Sequence, residues 1–198
     1  MNHTPIMNVN EINQFIEQHF PQINDGGSQC YFVDSIAPGE AIMRLEPDDR
    51  HLRPGNTISG PTLFALADFA AYVVILAHIG PVALAVTTNL NINFLRKPTL
   101  QPLHCRCRIM KLGKRLCVVE ADIYPTNDGA NGDNSVAHAT ATYSIPPTND
   151  RKTCPECGHV FQGNGWDGID AHWRSKHEDV MPYEEAWPLL NSGKYKGI

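Results

Sequence analysis

The chain has 198 residues, which allows one sizeable core and a small second module. An apolar fraction of 42% beside 19% charged residues excludes a disordered chain. The net charge of −5 gives no general attraction for nucleic acid or anionic lipid.

The first residues, MNHTPIMNVNEINQF, lack the basic and apolar regions of a secretory signal, so a cytoplasmic location is expected. From about Asn10 a short amphipathic helix is predicted, with Ile12, Phe15, Ile16 and Phe20 on one face and Pro21 as its stop. Strands are predicted at 29–36 and 40–46 around the turn Ala37-Pro38-Gly39, followed by a Pro/Gly-rich loop over 47–59. A helix then starts with Pro61 in its first turn and ends at Gly80-Pro81. It is apolar on nearly all sides, which predicts burial. Its longest uninterrupted apolar run, 69–77, is too short to span a bilayer, and no membrane partner is expected. Beyond it, Val86, Thr88, Leu90, Ile92 and Phe94 alternate with polar residues, the period of a half-buried strand. Residues 103–112 and 115–124 flank Gly113-Lys114 as a hairpin, and 135–145 make a further strand. One buried helix followed by antiparallel strands is an α+β pattern. Cys30, Cys105, Cys107 and Cys117 lie in apolar or strand-like surroundings and are expected as buried free thiols.

The buried helix contains one charged side chain, Asp68. A buried carboxylate must be paired, protonated or facing a cavity, so Asp68 is either a structural residue or part of a site. Upstream, "GNTISG" (55–60) leads into the helix N-terminus, where free N–H groups favour an oxyanion. Gly60, Thr62 and Leu63 are the candidate donors, because Pro61 has no N–H. Eight residues, about 12 Å of helix, separate Gly60 from Asp68. One reacting carbonyl can use both only if they come from different subunits of a twofold dimer.

At these residues the sequence resembles hot-dog-fold acyl-CoA thioesterases of the phenylacetate-degradation type. "SGPTLFALADFAAY" and "VTTNLNINFLRKP" stand in the order of the family's glycine-rich turn, acid-bearing helix and following strand. The resemblance covers most of 28–145 and implies a hot-dog fold, an antiparallel sheet wrapped around one long buried helix. It implies Asp68 as general base or nucleophile and Gly60 of the other subunit as oxyanion donor. Ser59 stands where the family has His, Pro61 replaces its second Gly, and Arg53 falls at its Asn/Gln position with Asn56 nearby. Tyr72 replaces a small hydroxyl residue. Asn56 and Ser59 are thus candidate catalytic residues, although Ser59 lacks a GxSxG setting and could simply cap the helix. Arg53, Thr62, Tyr72, Thr87, Arg96 and Lys97 are the candidate substrate-binding set.

Of the ten Lys and Arg before residue 151, seven lie between Arg96 and Arg115, an interval with no Asp or Glu. Such a band either binds the phosphates of coenzyme A, with Arg96 and Lys97 favoured, or is a solvated strand face. His104, Arg106 and Arg108 share one face of their strand.

A boundary is predicted near 146–150, dividing a 1–147 hot-dog domain from a 148–198 tail. The tail holds Cys154-x2-Cys157 and His172-x4-His177, which suit tetrahedral Zn2+. Phe161 and Ile169 complete a resemblance to ββα Cys2His2 zinc fingers, with fourteen residues between Cys157 and His172 and the extra length at 162–165. His159 is an alternative ligand. From Arg151 onward six basic residues face seven acidic ones, a poor balance for reading DNA, so the zinc is expected to be structural. Trp173, Tyr183, Trp187 and Leu189-Leu190 are expected to pack on the main domain or a protein partner. The expected function is hydrolysis of an acyl-CoA by a homodimer or dimer of dimers. The alternative is a non-catalytic acyl-CoA sensor whose tail binds a partner.

Overall fold

The structure is a computed structural model that describes residues 3–24, 28–128, 134–147, 152–161, 165–166 and 168–196. The chain divides into two compact units, Met1–Pro146 and Pro147–Ile198. Positions 148–150 of the expected linker and 162–164 of the expected insertion lie outside the described residues.

In the first unit, helix α1 (Val9–His19) is opened by an Asn8/Glu11 capping box and buries Ile12, Phe15 and Ile16. Strands β1 (Tyr31–Ala37) and β2 (Glu40–Leu45) form a hairpin whose turn places Gly39 at φ +72°. The loop beyond it contains a small two-stranded ladder, β3 (Leu52–Arg53) with β4 (Thr57–Ile58), which sequence periodicity had not revealed. Helix α2 (Gly60–Ile79) follows, with Ser59 as N-cap and Gly80 closing it at φ +91°. The strands β5 (Val86–Phe94), β6 (Leu103–Leu112), β7 (Leu116–Pro125) and β8 (Ala137–Ser144) complete the unit.

Six strands form one antiparallel sheet in the order β1-β2-β6-β7-β8-β5. Its inner face presents Ala41 and Met43, Cys105 and Cys107, Val119 and Ala121, and Ala139 and Ala141, all buried. These mostly small side chains let α2 lie close against the sheet, and the helix sides buried there explain its uniformly apolar surface. With 20 residues, α2 is long and apolar enough to cross a membrane, but its apolar window is 67% buried within the protein. This is the expected hot-dog arrangement, an antiparallel sheet with a long central helix. Cys30, Cys105, Cys107 and Cys117 are buried free thiols.

Strand β5 departs from the half-buried expectation. Val86 and Phe94 are 52% and 54% exposed, and only Leu90 and Ile92 are partly covered. It lies at one edge of the sheet, and among the described residues of the first unit part of its apolar face is uncovered.

The basic face of β6 is also different from its sequence appearance. His104 meets Asp34 at 3.0 Å, Arg106 meets Glu40 at 2.9 Å, and Arg108 meets Glu120 at 3.0 Å. Acids distant in sequence are brought across from β1, β2 and β7, so this face is a neutralised cross-strand ladder rather than a positive band.

In the second unit, α3 (Ile169–Lys176) and α4 (Tyr183–Asn191) enclose a core of Phe161, Ile169, Trp173, Ala186 and Leu190. Trp173 is fully buried and its indole N–H donates to the Met181 carbonyl at 2.8 Å. Trp173 and Leu190 therefore belong to the tail's own core rather than to another surface, while Tyr183 and Trp187 pack against that core and stay partly exposed. Helix α4 supplies that core, and a ββα finger has no counterpart to it.

Candidate active site and metal centre

Two positions on α2, Gly60 and Asp68, open onto separate cavities. At the N-terminal end, Gly60 lines a space of about 340 Å3 with Arg53, Phe94, Arg96 and Lys97. Of the three candidate N–H donors, Thr62 donates to Ser59 Oγ at 3.3 Å and Leu63 to the Ser59 carbonyl at 3.2 Å. Among the described residues, the Gly60 N–H has no acceptor. It is left over because the first N–H groups of a helix have no carbonyl one turn before them, and the Ser59 cap serves Thr62 instead. A Cβ on Gly60 would stand 3.3 Å from the Phe94 ring, so the glycine keeps room between α2 and Phe94 in the cavity that both line.

Two further turns along, Asp68 lines a cavity of about 390 Å3 with His19, Phe20, Phe69, Tyr72, Thr87 and Tyr143 among its walls. The carboxylate is half-buried and takes two hydroxyl donors on the same oxygen. Thr87 Oγ1 donates to Oδ1 at 2.7 Å, and the Tyr143 hydroxyl lies 2.6 Å from Oδ1 and 2.9 Å from the Asp68 carbonyl. Burial, reinforced by the neighbouring Asp68 charge, drives the Tyr143 phenol far above its ordinary pKa and keeps it protonated. Asp68 is thus paired and facing a cavity at once, with two of the possible reasons for a carboxylate in an apolar helix combined.

The other predicted residues divide between these places and neither. Arg53, Arg96 and Lys97 surround the Gly60 cavity, and the Arg96 guanidinium also donates to the Ser135 carbonyl at 2.8 Å. Tyr72 and Thr87 belong to the Asp68 cavity, where the Tyr72 hydroxyl donates to the Ala83 carbonyl at 3.2 Å. Ser59 acts as helix cap, its Oγ 2.8 Å from the Thr62 hydroxyl, and Thr62 is buried with its hydroxyl turned to the His51 carbonyl. Asn56 sits at φ +52° in the tip joining β3 to β4 and lines neither cavity. Tyr143 was missed by the sequence reading. Its signal is positional: it follows Ala137, Ala139 and Ala141 on the inward face of β8, and a buried phenol needs a hydrogen-bond partner.

In the tail, Cys154, Cys157, His172 and His177 bring one donor atom each within 4.8 Å of one another. Cys154 Sγ lies 3.4 Å from His177 Nε2, and Cys157 Sγ lies 3.4 Å from His172 Nε2. Tetrahedral coordination by thiolates and imidazoles sets such edges at about 3.5 Å, so the donor set fits a metal ion. Burial and the neighbouring imidazoles lower the His172 pKa, favouring the neutral ring that a metal needs. His159 stands outside the four and stacks on His172 at 4.7 Å between centroids.

Comparison with known proteins adds independent observations. Residues 55–130 match the family model described as the thioesterase superfamily. A crystal structure of a provisionally named thioesterase from Silicibacter sp. TM1040 is 40% identical, covers 74% of this chain and 97% of its own, and superposes with a TM-score of 0.64. A provisionally named esterase of Saccharolobus solfataricus is 26% identical over 141 residues, covering 71% of this chain and 87% of that protein. The fold is shared with the Streptococcus mutans protein smu.793, crystallised bound to acetyl-CoA, at 23% identity and a TM-score of 0.52 over 61% of this chain and 91% of that one.

Proposed function

The chain belongs to the thioesterase superfamily, and from that premise we propose that it hydrolyses acyl-CoA thioesters, in the manner of the phenylacetate-degradation enzymes it resembles. The observation that carries the proposal is the division of chemistry along α2: an unpaired N–H at Gly60 in one cavity and a fixed carboxylate at Asp68 in another. A twofold dimer joins the halves, with Gly60 of one subunit meeting Asp68 of the other. The exposed apolar residues of β5 support a partner along that edge. Such dimers can pair further into a dimer of dimers.

In the reaction, Asp68 takes a proton from water as the water oxygen attacks the thioester carbon, or attacks that carbon itself to give an anhydride that water then cleaves. The Gly60 N–H donates to the oxyanion, the C–S bond breaks, and the coenzyme A thiolate leaves and takes up a proton. Arg53, Arg96 and Lys97, beside Gly60, suit the coenzyme's phosphates. Phe20, Phe69 and Tyr72 beside Asp68 suit a medium-sized apolar or aromatic acyl group. The tail's four donors hold one structural zinc, which all-protein coordination by two thiolates and two imidazoles favours.

The test is free-thiol release from a panel of acyl-CoAs running from acetyl to long-chain to aryl, with wild type and Asp68→Ala compared. Turnover lost in the variant, by about a thousandfold or more with assembly intact, supports the hydrolase. Saturable binding without turnover in either protein would replace it with an acyl-CoA sensor. One observation favours that second reading: the Ser59 hydroxyl, which stands at the family's His position, is engaged in capping.

A further inference from the structure

We infer that Tyr143 is a positioning residue of the Asp68 site, holding the carboxylate in one orientation so that Oδ2 is the reacting oxygen. For its catalytic consequence the inference rests on the hydrolase reading; for the orientation of the carboxylate it stands alone.

The phenol makes two contacts with the same residue, one to the side chain at 2.6 Å and one to the main-chain carbonyl at 2.9 Å. It thereby ties the carboxylate to its own helix backbone, removing freedom about the side-chain torsions. Tyr143 is itself only 2% exposed, locked between the sheet and α2, so it has little freedom to pass on. Thr87, from β5, donates to Oδ1 as well. Both side-chain donors therefore saturate Oδ1, and the lone pairs of Oδ2 are left for water or a carbonyl carbon.

The other titratable groups facing this place are His19 at the end of α1, Tyr72 one turn on along α2, and the Cys107 thiol of β6 beside Tyr143. Burial raises the Tyr72 phenol and, more strongly, the Cys107 thiol, which keeps both neutral. Tyr143 is the member of this group that donates to the carboxylate.

The test is Tyr143→Phe, which keeps the ring and removes the hydroxyl. Freeing the carboxylate is expected to lower kcat about tenfold with KM for acyl-CoA nearly unchanged, since fewer bound complexes then present Oδ2 correctly. The side-chain 13C resonance of labelled Asp68, recorded at one pH, reads the lost donor without turnover and is expected to move. An unmoved resonance overturns the inference, whatever the activity. A moved resonance in a protein that turns over no acyl-CoA upholds the hold on Asp68 and rejects the hydrolase instead. If Tyr143→Phe does not fold, Thr87→Val at the exposed end of β5 removes the other Oδ1 donor, and an unmoved resonance there overturns the scheme.

Discussion

His78 is buried near the end of α2, where Nε2 accepts the Gly39 N–H at 2.9 Å and Nδ1 lies 2.6 Å from the Val74 carbonyl. An acceptor at Nε2 fixes the proton on Nδ1, so the ring joins the β1–β2 turn to the helix. His78→Phe fills the volume but strands the Gly39 N–H, and a cost of about 1–3 kcal/mol is expected in equilibrium denaturation. Gly60 behaves differently. Its added methyl would meet the outer end of a half-exposed Phe94 ring at 3.3 Å, which can yield. Gly60→Ala is therefore expected to leave the melting temperature within a few degrees while lowering kcat/KM about tenfold or more, because the methyl takes room in the cavity that Gly60 and Phe94 line. A matching loss of stability would assign Gly60 to packing.

At the scale of elements, β5 concentrates the unfinished business of the fold. In the proposed assembly Phe94→Lys places a charge on a surface that a second subunit must cover. Sedimentation equilibrium is expected to show monomers, with circular dichroism unchanged; an unaltered oligomer would move the interface elsewhere. The exposure of β5 was not legible in its alternating pattern, because alternation reports which residues share a face and not whether anything lies over it. Helix α2 was legible through Pro61, its apolar circumference and Gly80, and the 103–125 hairpin through its turn. Helix α4 was hidden by Pro188, which sits inside it. Partners far apart in sequence were equally hidden. Tyr143 reaches Asp68 across 75 positions, and the acids that neutralise β6 arrive from three other strands. Residues grouped by spacing within one segment, such as the Cys/His set, could be read as a cluster; contacts made by strand pairing could not.

For the whole molecule, a site shared between subunits has a stoichiometric signature. Mixing Gly60-blocked and Asp68→Ala chains under conditions of subunit exchange yields mixed dimers with one site intact and one doubly damaged. About a quarter of wild-type activity is expected from equal amounts, against about a tenth or less from either parent. The tail supplies a separate test. Chelation is expected to release one zinc per chain and shift Trp173 emission to longer wavelength as its surroundings open, while the thermal transition of the first unit stays in place. Loss of that transition on chelation would tie the two units together.

The cysteines carry a consequence of a different kind. Cys30, Cys105, Cys107 and Cys117 are buried, and burial raises the pKa of each, that of Cys117 to about 12. Cys154 is buried and raised too, whereas Cys157 is exposed. Toward an alkylating reagent a chain with six thiols is therefore a protein with one, and a bound zinc would mask even that one. Mass added at Cys105, Cys107 and Cys117 then counts openings of the sheet about its helix. The protein carries its own clock for unfolding, silent until the core is breached.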